Sequence, residues 1–599
     1  VLITTKKGKS GQAVVNYNGF VGYQKVTNPI KMANANEYAT MVNELSTING
    51  GKPILDPAQY GQGTDWYRQI LRNAPITNHQ LSISGGTEKS TYNLSLGYLY
   101  QDGIVERNNF KRYTARLQND FQVLNNLKVG YTATGAFSSS QDEAGGIFRQ
   151  MYAAGPVVPV YYADGTYGDP TDYNLGDGNN FNPQVTVDFY NQITKKTLLT
   201  GNIYGELTIL KGLTFKSSFG GRYSQDETRS YTPAYVATFK QRNTTSNLEF
   251  TRPQARYWIL ENTLTYTKEI GDHNFTALLG QSAQRDQSYK LTASALNVPY
   301  TREGDLYLAL GNADGRNVKD EGDLATYASY FGRVNYSFQD RYLINASLRA
   351  DGSSKFYEGG NAWGYFPSVG VGWVISIEPF MQNQRIFDNL KFRASCGKIG
   401  NASVPSNLST LTVANGGDLA AFFGGQLYTG ASINSIIPPV TYWERGVGTD
   451  IGLEAALLKS RLTVELDYYI KETQQAIFDI PVLSSIGTSS SRIIGNQATF
   501  RNRGLEVALN WRNTISKDVS YSIGANAGLN NNVVLAVSSG ANPIYDGGVG
   551  LTGGAQATRT QVGDPIGSFY GFIVDGIFQT EDEVKASAQP NAKPGEFKY

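Results

Sequence analysis

Two histidines, a series of aspartates, a run of glycines and two groups of aromatic residues are the side chains of this 599-residue chain that could carry chemistry. His79 stands at the start of a strand pattern and His273 in a tight turn, "GDH". A lipid-cleaving hydrolase would need a Ser–His pair, and neither histidine has a recognisable partner, so surface or interfacial positions are expected for both. Asp164, Asp169, Asp172 and Asp177 recur in a glycine-rich stretch. Calcium takes about six to eight oxygens, which such a loop can supply, but the spacing departs from the EF-hand pattern. A solvated loop is the expectation, with a loop Ca2+ as the alternative. Gly547, Gly548, Gly550, Gly553 and Gly554 do not open a helix after a strand, as a phosphate-cradling loop would. Tyr161, Tyr162, Tyr167 and Tyr173 crowd one polar stretch, and Phe422 and Phe423 another. Their flat faces could stack on sugar rings. The alternative is that they pack on each other or on a partner protein.

The elements that must position these residues follow a period of two. Tyr342, Ile344, Ala346, Leu348 and Ala350 alternate with Leu343, Asn345, Ser347, Arg349 and Asp351. The same alternation recurs over residues 92–101, 462–471, 505–512 and 521–530, which marks long strands. Composition agrees: 65 Gly, 39 Tyr and only 40% hydrophobic residues suit strands and turns better than helices. A net charge of +1 gives no footprint for nucleic acid. The single cysteine, Cys396, cannot close an internal disulfide and is expected to be a small strand residue. No apolar run reaches the ~18 residues of a membrane-spanning helix. The opening "VLITTKKGKSG" lacks an initiator methionine and reads as the interior of a longer polypeptide.

Connections separate two kinds of end. Tight turns are expected at Leu124, Lys211, Gly271, Gln339, Lys459 and Ser516, each followed one strand later by a long polar stretch. Those stretches cover residues 140–194, 224–250, 284–324, 402–440, 475–498 and 531–565. Short turns at one end and long loops at the other characterise a transmembrane barrel of roughly 16 to 18 strands of about ten residues or more here. In hydrocarbon every backbone N–H and C=O must be paired, so strands cross only as a closed sheet. One face then meets lipid and the other encloses a polar lumen.

Several segments resemble the SusC/RagA-type TonB-dependent transporters of Bacteroidota outer membranes. They are "VLITTKKGKSG" (1–11), "ANANEYATMVNE" (33–44), the stretch 63–105, "SLRADGSSKF" (347–356), "WGYFPSVGVGW" (363–373), "LKFRASCGKIGN" (390–401), "RNRGLEVAL" (501–509) and "GDPIGSFYGFIVDGIFQ" (563–579). Singly each is weak; in this order they are specific. The resemblance implies an all-β fold, a transmembrane antiparallel β-barrel of TonB-dependent receptor type with 22 strands in the intact protein. On that reading residues 1–10 are the last strand of an N-terminal plug domain, and residues 11–599 are barrel, incomplete at its C-terminus. It further implies no enzymatic activity and import of oligosaccharides or peptides across the outer membrane. The implied partners are a SusD-like surface lipoprotein and the TonB–ExbB–ExbD complex acting through the missing N-terminal region. Tyr161, Tyr162, Tyr167, Tyr173, Phe422 and Phe423 are then candidates for substrate contact at the extracellular mouth. "NANEYATMVNELS" and "GTDWYRQILRNA" could each hold a short helix in the connection after the first barrel strand. A passive porin-like or adhesive barrel, and a soluble extracellular β-protein, are the competing readings.

Overall fold

The computed structural model describes all residues except 1–7, 174, 176–180, 301–304, 407–412, 416–418, 434–435, 438–440, 482–484, 486–491, 539–542 and 549–555. Most of the segment assigned to a plug strand, together with Asp177, Gly550, Gly553 and Gly554, lies outside the described residues. Among the described residues, seventeen long strands belong to one antiparallel sheet. They are β1 (Gly11–Gln24), β2 (Ala74–Gly86), β3 (Ser90–Asp102), β4 (Asn109–Leu124), β5 (Leu127–Gln141), β6 (Asn191–Leu210), β7 (Leu213–Thr232), β8 (Asn247–Ile270), β9 (His273–Leu296), β10 (Asn317–Phe338), β11 (Tyr342–Ser353), β12 (Trp363–Val374), β13 (Phe387–Asn401), β14 (Glu444–Leu457), β15 (Leu462–Pro481), β16 (Arg492–Ser516) and β17 (Val519–Val537). The chain divides into two compact units. The first comprises Val1–Thr263 and Ser282–Ala325, the second Leu264–Gln281 and Thr326–Tyr599.

In the first unit, register sorts side chains by character. His79, Tyr98, Tyr113 and Phe137 pair across β2 to β5, and the next row on the same face is Leu81, Leu96, Ala115, Gly135 and Leu199. One residue along, the opposite face carries Ser82, Ser95, Arg116, Thr134 and Thr200. A slip of one residue would invert every one of these positions, so the two-sided pattern fixes the register.

The second unit repeats the rule over eight strands. Tyr336, Ile344, Val371, Ala394, Ile451, Tyr468, Leu505 and Leu529 form one cross-strand row. The adjacent row, on the other face, reads Asn335, Asn345, Gly370, Ser395, Asp450, Tyr469, Gly504 and Asn530. On the apolar side Ile344, Leu348, Val369 and Val371 are exposed. A contiguous apolar sheet face left open is one built to meet an apolar solvent.

Turns follow their sequences. Gln339 and Asp340 both take positive φ, 54° and 51°, the primed-turn geometry that suits a two-residue hairpin. Three of the long connections, expected at 224–250, 284–324 and 475–498, are shorter than their polar composition suggests. β9 continues to Leu296 and β10 begins at Asn317, so only residues 297–316 of the stretch 284–324 leave the strands. Likewise β15 runs to Pro481 and β16 starts at Arg492. The β9 and β10 extensions have polar residues on both faces, and the β15 extension is interrupted by register shifts between Thr473 and Ile477, which removes the period-two signal without removing the backbone pairing.

Candidate functional site

The polar face of the second unit centres on Arg393, which β13 directs toward β14 and β15. Its guanidinium lies 3.0 Å from Asp450, 3.0 Å from Glu454 and 2.5 Å from Asp467, and Lys391 adds a contact of 3.4 Å to Glu454. Arg393, Gly452 and Asp467 share one cross-strand row. A Cβ at Gly452 would sit 2.3 Å from the Asp467 carboxylate and 2.8 Å from Arg393 Nε. The missing side chain is therefore what lets the arginine reach past its neighbour strand. On the first unit's polar face Asp120 is held similarly, by Tyr204 Oη at 2.7 Å and Lys128 Nζ at 3.5 Å. Charges are thus retained on this face by pairing, as a wall bounding water rather than oil requires.

The long-loop end of the first unit is a folded cap. The connection after β1 holds α1 (Ala35–Ile48) and α2 (Trp66–Ile70). The connection after β5 holds α3 (Ile147–Ala153) and α4 (Pro183–Phe189). Asn34 and Glu37 close a reciprocal capping box on α1, each backbone N–H donating to the other's side chain at 2.9 Å. Ala39, Trp66, Ile70, Ile147, Met151 and Val158 are buried together, and Trp66 Nε1 donates to Gly155 O at 3.2 Å. The two helices expected in the first connection are present.

Tyr161, Tyr162, Tyr167 and Tyr173 all lie in this cap and are brought together there. Tyr161 and Tyr167 pair across a single β-bridge, with ring centroids 5.0 Å apart. Both hydroxyls donate to Asp188 Oδ2, at 3.2 and 2.9 Å. Tyr162 Oη donates to Asp172 Oδ2 at 2.7 Å and accepts from the Asp169 N–H at 3.1 Å. Burial, then Asp188, raises the Tyr161 and Tyr167 hydroxyls above the ordinary phenol value; burial, then Asp172, does so for Tyr162. All three stay neutral donors across the biological range. Tyr173 packs against the buried cluster with its ring 6.2 Å from Tyr60. Phe422 and Phe423 belong to the second unit, on a short hairpin pairing Ala421–Phe423 with Gln426–Tyr428. Both are strongly exposed.

The remaining candidates are spent locally. Asp164 and Asp169 accept from the N–H and hydroxyl of Thr166 and Thr171, and Asp169 also accepts from the Phe239 N–H. Among the described residues no group of three or more His, Cys, Asp or Glu could hold a metal ion. His79 lies inside β2 rather than at its start, bonded to Tyr17 Oη at 2.6 Å and Thr77 Oγ1 at 2.7 Å. His273 opens β9 and bonds Tyr336 Oη at 2.7 Å. Asp188 and Arg393 escaped sequence reading, and Asp172, expected to be a solvated-loop or calcium carboxylate, is instead the partner of Tyr162. Arg393 stood out only as part of the family-like segment 390–401, and nothing local marked the two aspartates as tyrosine partners.

Two-faced strands with lipid-suited apolar rows and a charged polar wall define an outer-membrane β-barrel. Residues 230–565 match the family model "TonB dependent receptor-like, beta-barrel", and the chain belongs to that family. It is 30% identical to TonB-dependent receptor P3 of Formosa agariphila, over 99% of this chain and 58% of that protein. It is 28% identical to TonB-dependent receptor SusC of Bacteroides thetaiotaomicron, over 91% of this chain and 55% of that one. The chain thus spans somewhat more than half the length of these relatives. In fold it is similar to the RagAB peptide transporter, with a TM-score of 0.82 at 21% identity over 96% of this chain and 66% of that chain.

Proposed function

We propose that the intact protein actively imports oligosaccharides or peptides across the outer membrane. In this reading residues 11–599 form part of the barrel and residues 1–10 end a plug domain. A SusD-like surface lipoprotein covers the long-loop end. The TonB–ExbB–ExbD complex supplies energy through a segment outside this sequence. The observation that carries the reading is the continuous pair of opposed rows in the second unit, apolar from Tyr336 to Leu529 and polar from Asn335 to Asn530, in a chain of the TonB-dependent receptor family. A passive pore equilibrates its solute and cannot concentrate it, so a family member that accumulates nutrient requires an external energy source.

We assign first substrate contact to the cap aromatics Tyr161, Tyr162, Tyr167 and Tyr173 and to Phe422 and Phe423. Two arrangements support different roles. Asp188 holds the Tyr161–Tyr167 pair so that the rings keep a fixed orientation, which lowers the entropy lost on stacking. The exposed Phe422 and Phe423 suit an adaptable contact, with the ligand or the lipoprotein. The test is uptake of labelled oligosaccharide and peptide mixtures by cells with and without the gene, each with and without TonB. Gene-dependent uptake that ceases without TonB is the expected result. Uptake that persists without TonB would make the protein a passive pore.

A further inference from the structure

The cap contains a cleft of about 1580 Å³, lined by residues of the segments 25–34 and 62–73, by Tyr38 and Met41 of α1 and by the end of α3. Its charge is one-sided. Lys25, Lys31 and Arg68 line it, and among the described residues their side chains have no carboxylate or aromatic partner. The one lining carboxylate, Asp65, already caps α2 by accepting from the Arg68 N–H at 3.0 Å. Over the whole sequence basic and acidic residues balance at 52 to 51, so three unanswered cations in one concavity are a local departure rather than an overall bias. The walls between them are unusual as well. Three of the chain's four methionines, Met32, Met41 and Met151, line this cleft, beside Ile30 and Leu71.

Resting on the importer reading, we infer that this cleft receives acidic peptides. Lysine and arginine at its edge recognise carboxylates, arginine through a planar fork that matches both oxygens. Thioether and aliphatic walls adapt to apolar side chains of varied shape, the property expected of a site that admits many sequences. A glycan would call for flat ring faces and for carboxylate or amide acceptors of its hydroxyls. Here the stacked pair Tyr67–Tyr152, with centroids 6.4 Å apart, and the amides of Gln62 and Asn73 could serve a sugar. But Asn34 and Gln69 are engaged within the protein, the single carboxylate is a cap, and the free charge has the wrong sign for accepting hydroxyl protons. A peptide also brings a terminal carboxylate whatever its composition.

The test uses the full-length protein purified in detergent and three dye-labelled probes. These are a hexapeptide of alternating glutamate and leucine, its lysine–leucine counterpart, and a polygalacturonate oligomer carrying the same sign of charge on a sugar backbone. The glutamate peptide is expected to bind at least about tenfold tighter than either other probe, more weakly as salt rises. The advantage should disappear in Lys31→Gln/Arg68→Gln protein of unchanged unboiled gel mobility. Lys25→Gln provides a second, milder variant with a partial loss. Equal binding of both peptides, preference for the polygalacturonate, or an acidic preference untouched by these substitutions would each overturn the inference. Uptake of the same peptides is measured in cells with and without TonB. TonB-dependent entry without charge preference removes the acidic-peptide cleft and leaves the importer standing. Entry that ignores TonB removes the importer itself.

Discussion

Glu378 shows how one side chain organises the tight-turn end of the second unit. It is buried, and its carboxylate accepts from Tyr342 Oη at 2.6 Å, Trp373 Nε1 at 2.9 Å and Arg341 Nη1 at 3.1 Å. The hydrogen bonds from Tyr342 and Trp373, then the charge of Arg341, hold its pKa below the ordinary 4.5. A carboxyl whose native pKa is depressed contributes stability that is complete above its unfolded value and fades as pH falls toward its native one. Melting followed by gel mobility should therefore show an extra loss of stability below about pH 4.5 that Glu378→Gln protein, already less stable at neutral pH, does not share. At Gly452 the expectation is steric. Gly452→Val drives a branched side chain into Arg393 and Asp467 and should cost about 1–3 kcal/mol in urea unfolding from lipid vesicles. At this scale the sequence was only partly legible. Arg393 lies in the family-like segment 390–401, but its place on the polar face came from the strand pairing. That Tyr161 and Tyr167 would share Asp188, which lies 27 and 21 residues away, depends on loop geometry that no local pattern encodes.

Strands and helices carry the two halves of the account. On β12, Val369 and Ser368 are chain neighbours on opposite faces. Val369 pairs with Ala346 and Cys396, Ser368 with Ser347 and Gly397. Val369→Arg should destabilise the protein in vesicles by about 2–4 kcal/mol, whereas Ser368→Arg should change it by less than about 1 kcal/mol. Similar costs at both positions would deny that one face meets lipid. In the cap, Trp66→Ala removes the side chain that joins the two connections. It should cost about 3–5 kcal/mol of local stability, read as faster proteolysis within residues 25–73 and 142–190 while the strands keep their unboiled gel mobility. Strand centres such as Tyr342–Ala350 and the tight turns were readable because lipid on one side and water on the other impose a strict period. The outer strand ends were not, since polar residues occupy both faces at the ends of β9 and β10 and bulges break the alternation in β15. The cap helices could be anticipated, yet their packing could not: Trp66 meets Gly155 across 89 residues.

For the whole molecule, membership of the TonB-dependent receptor family and the two-faced sheet point to one environment. A mean hydropathy of −0.34 looks unlike a membrane protein. Among the described residues no helix is long and apolar enough to cross a bilayer. Both observations fit a barrel, because only alternate strand residues touch lipid. The full-length protein should accordingly fractionate with outer membranes and require detergent for release. The most direct measurement is a scan of single spin labels along residues 342–351, in the Cys396→Ser background, with the full-length protein in its membrane. Collision with dissolved oxygen should peak at 344, 346 and 348, and collision with a water-soluble nickel chelate at 345, 347 and 349. If both reagents reached all of these positions alike, the strand would not separate oil from water, and the outer-membrane importer would fall with it.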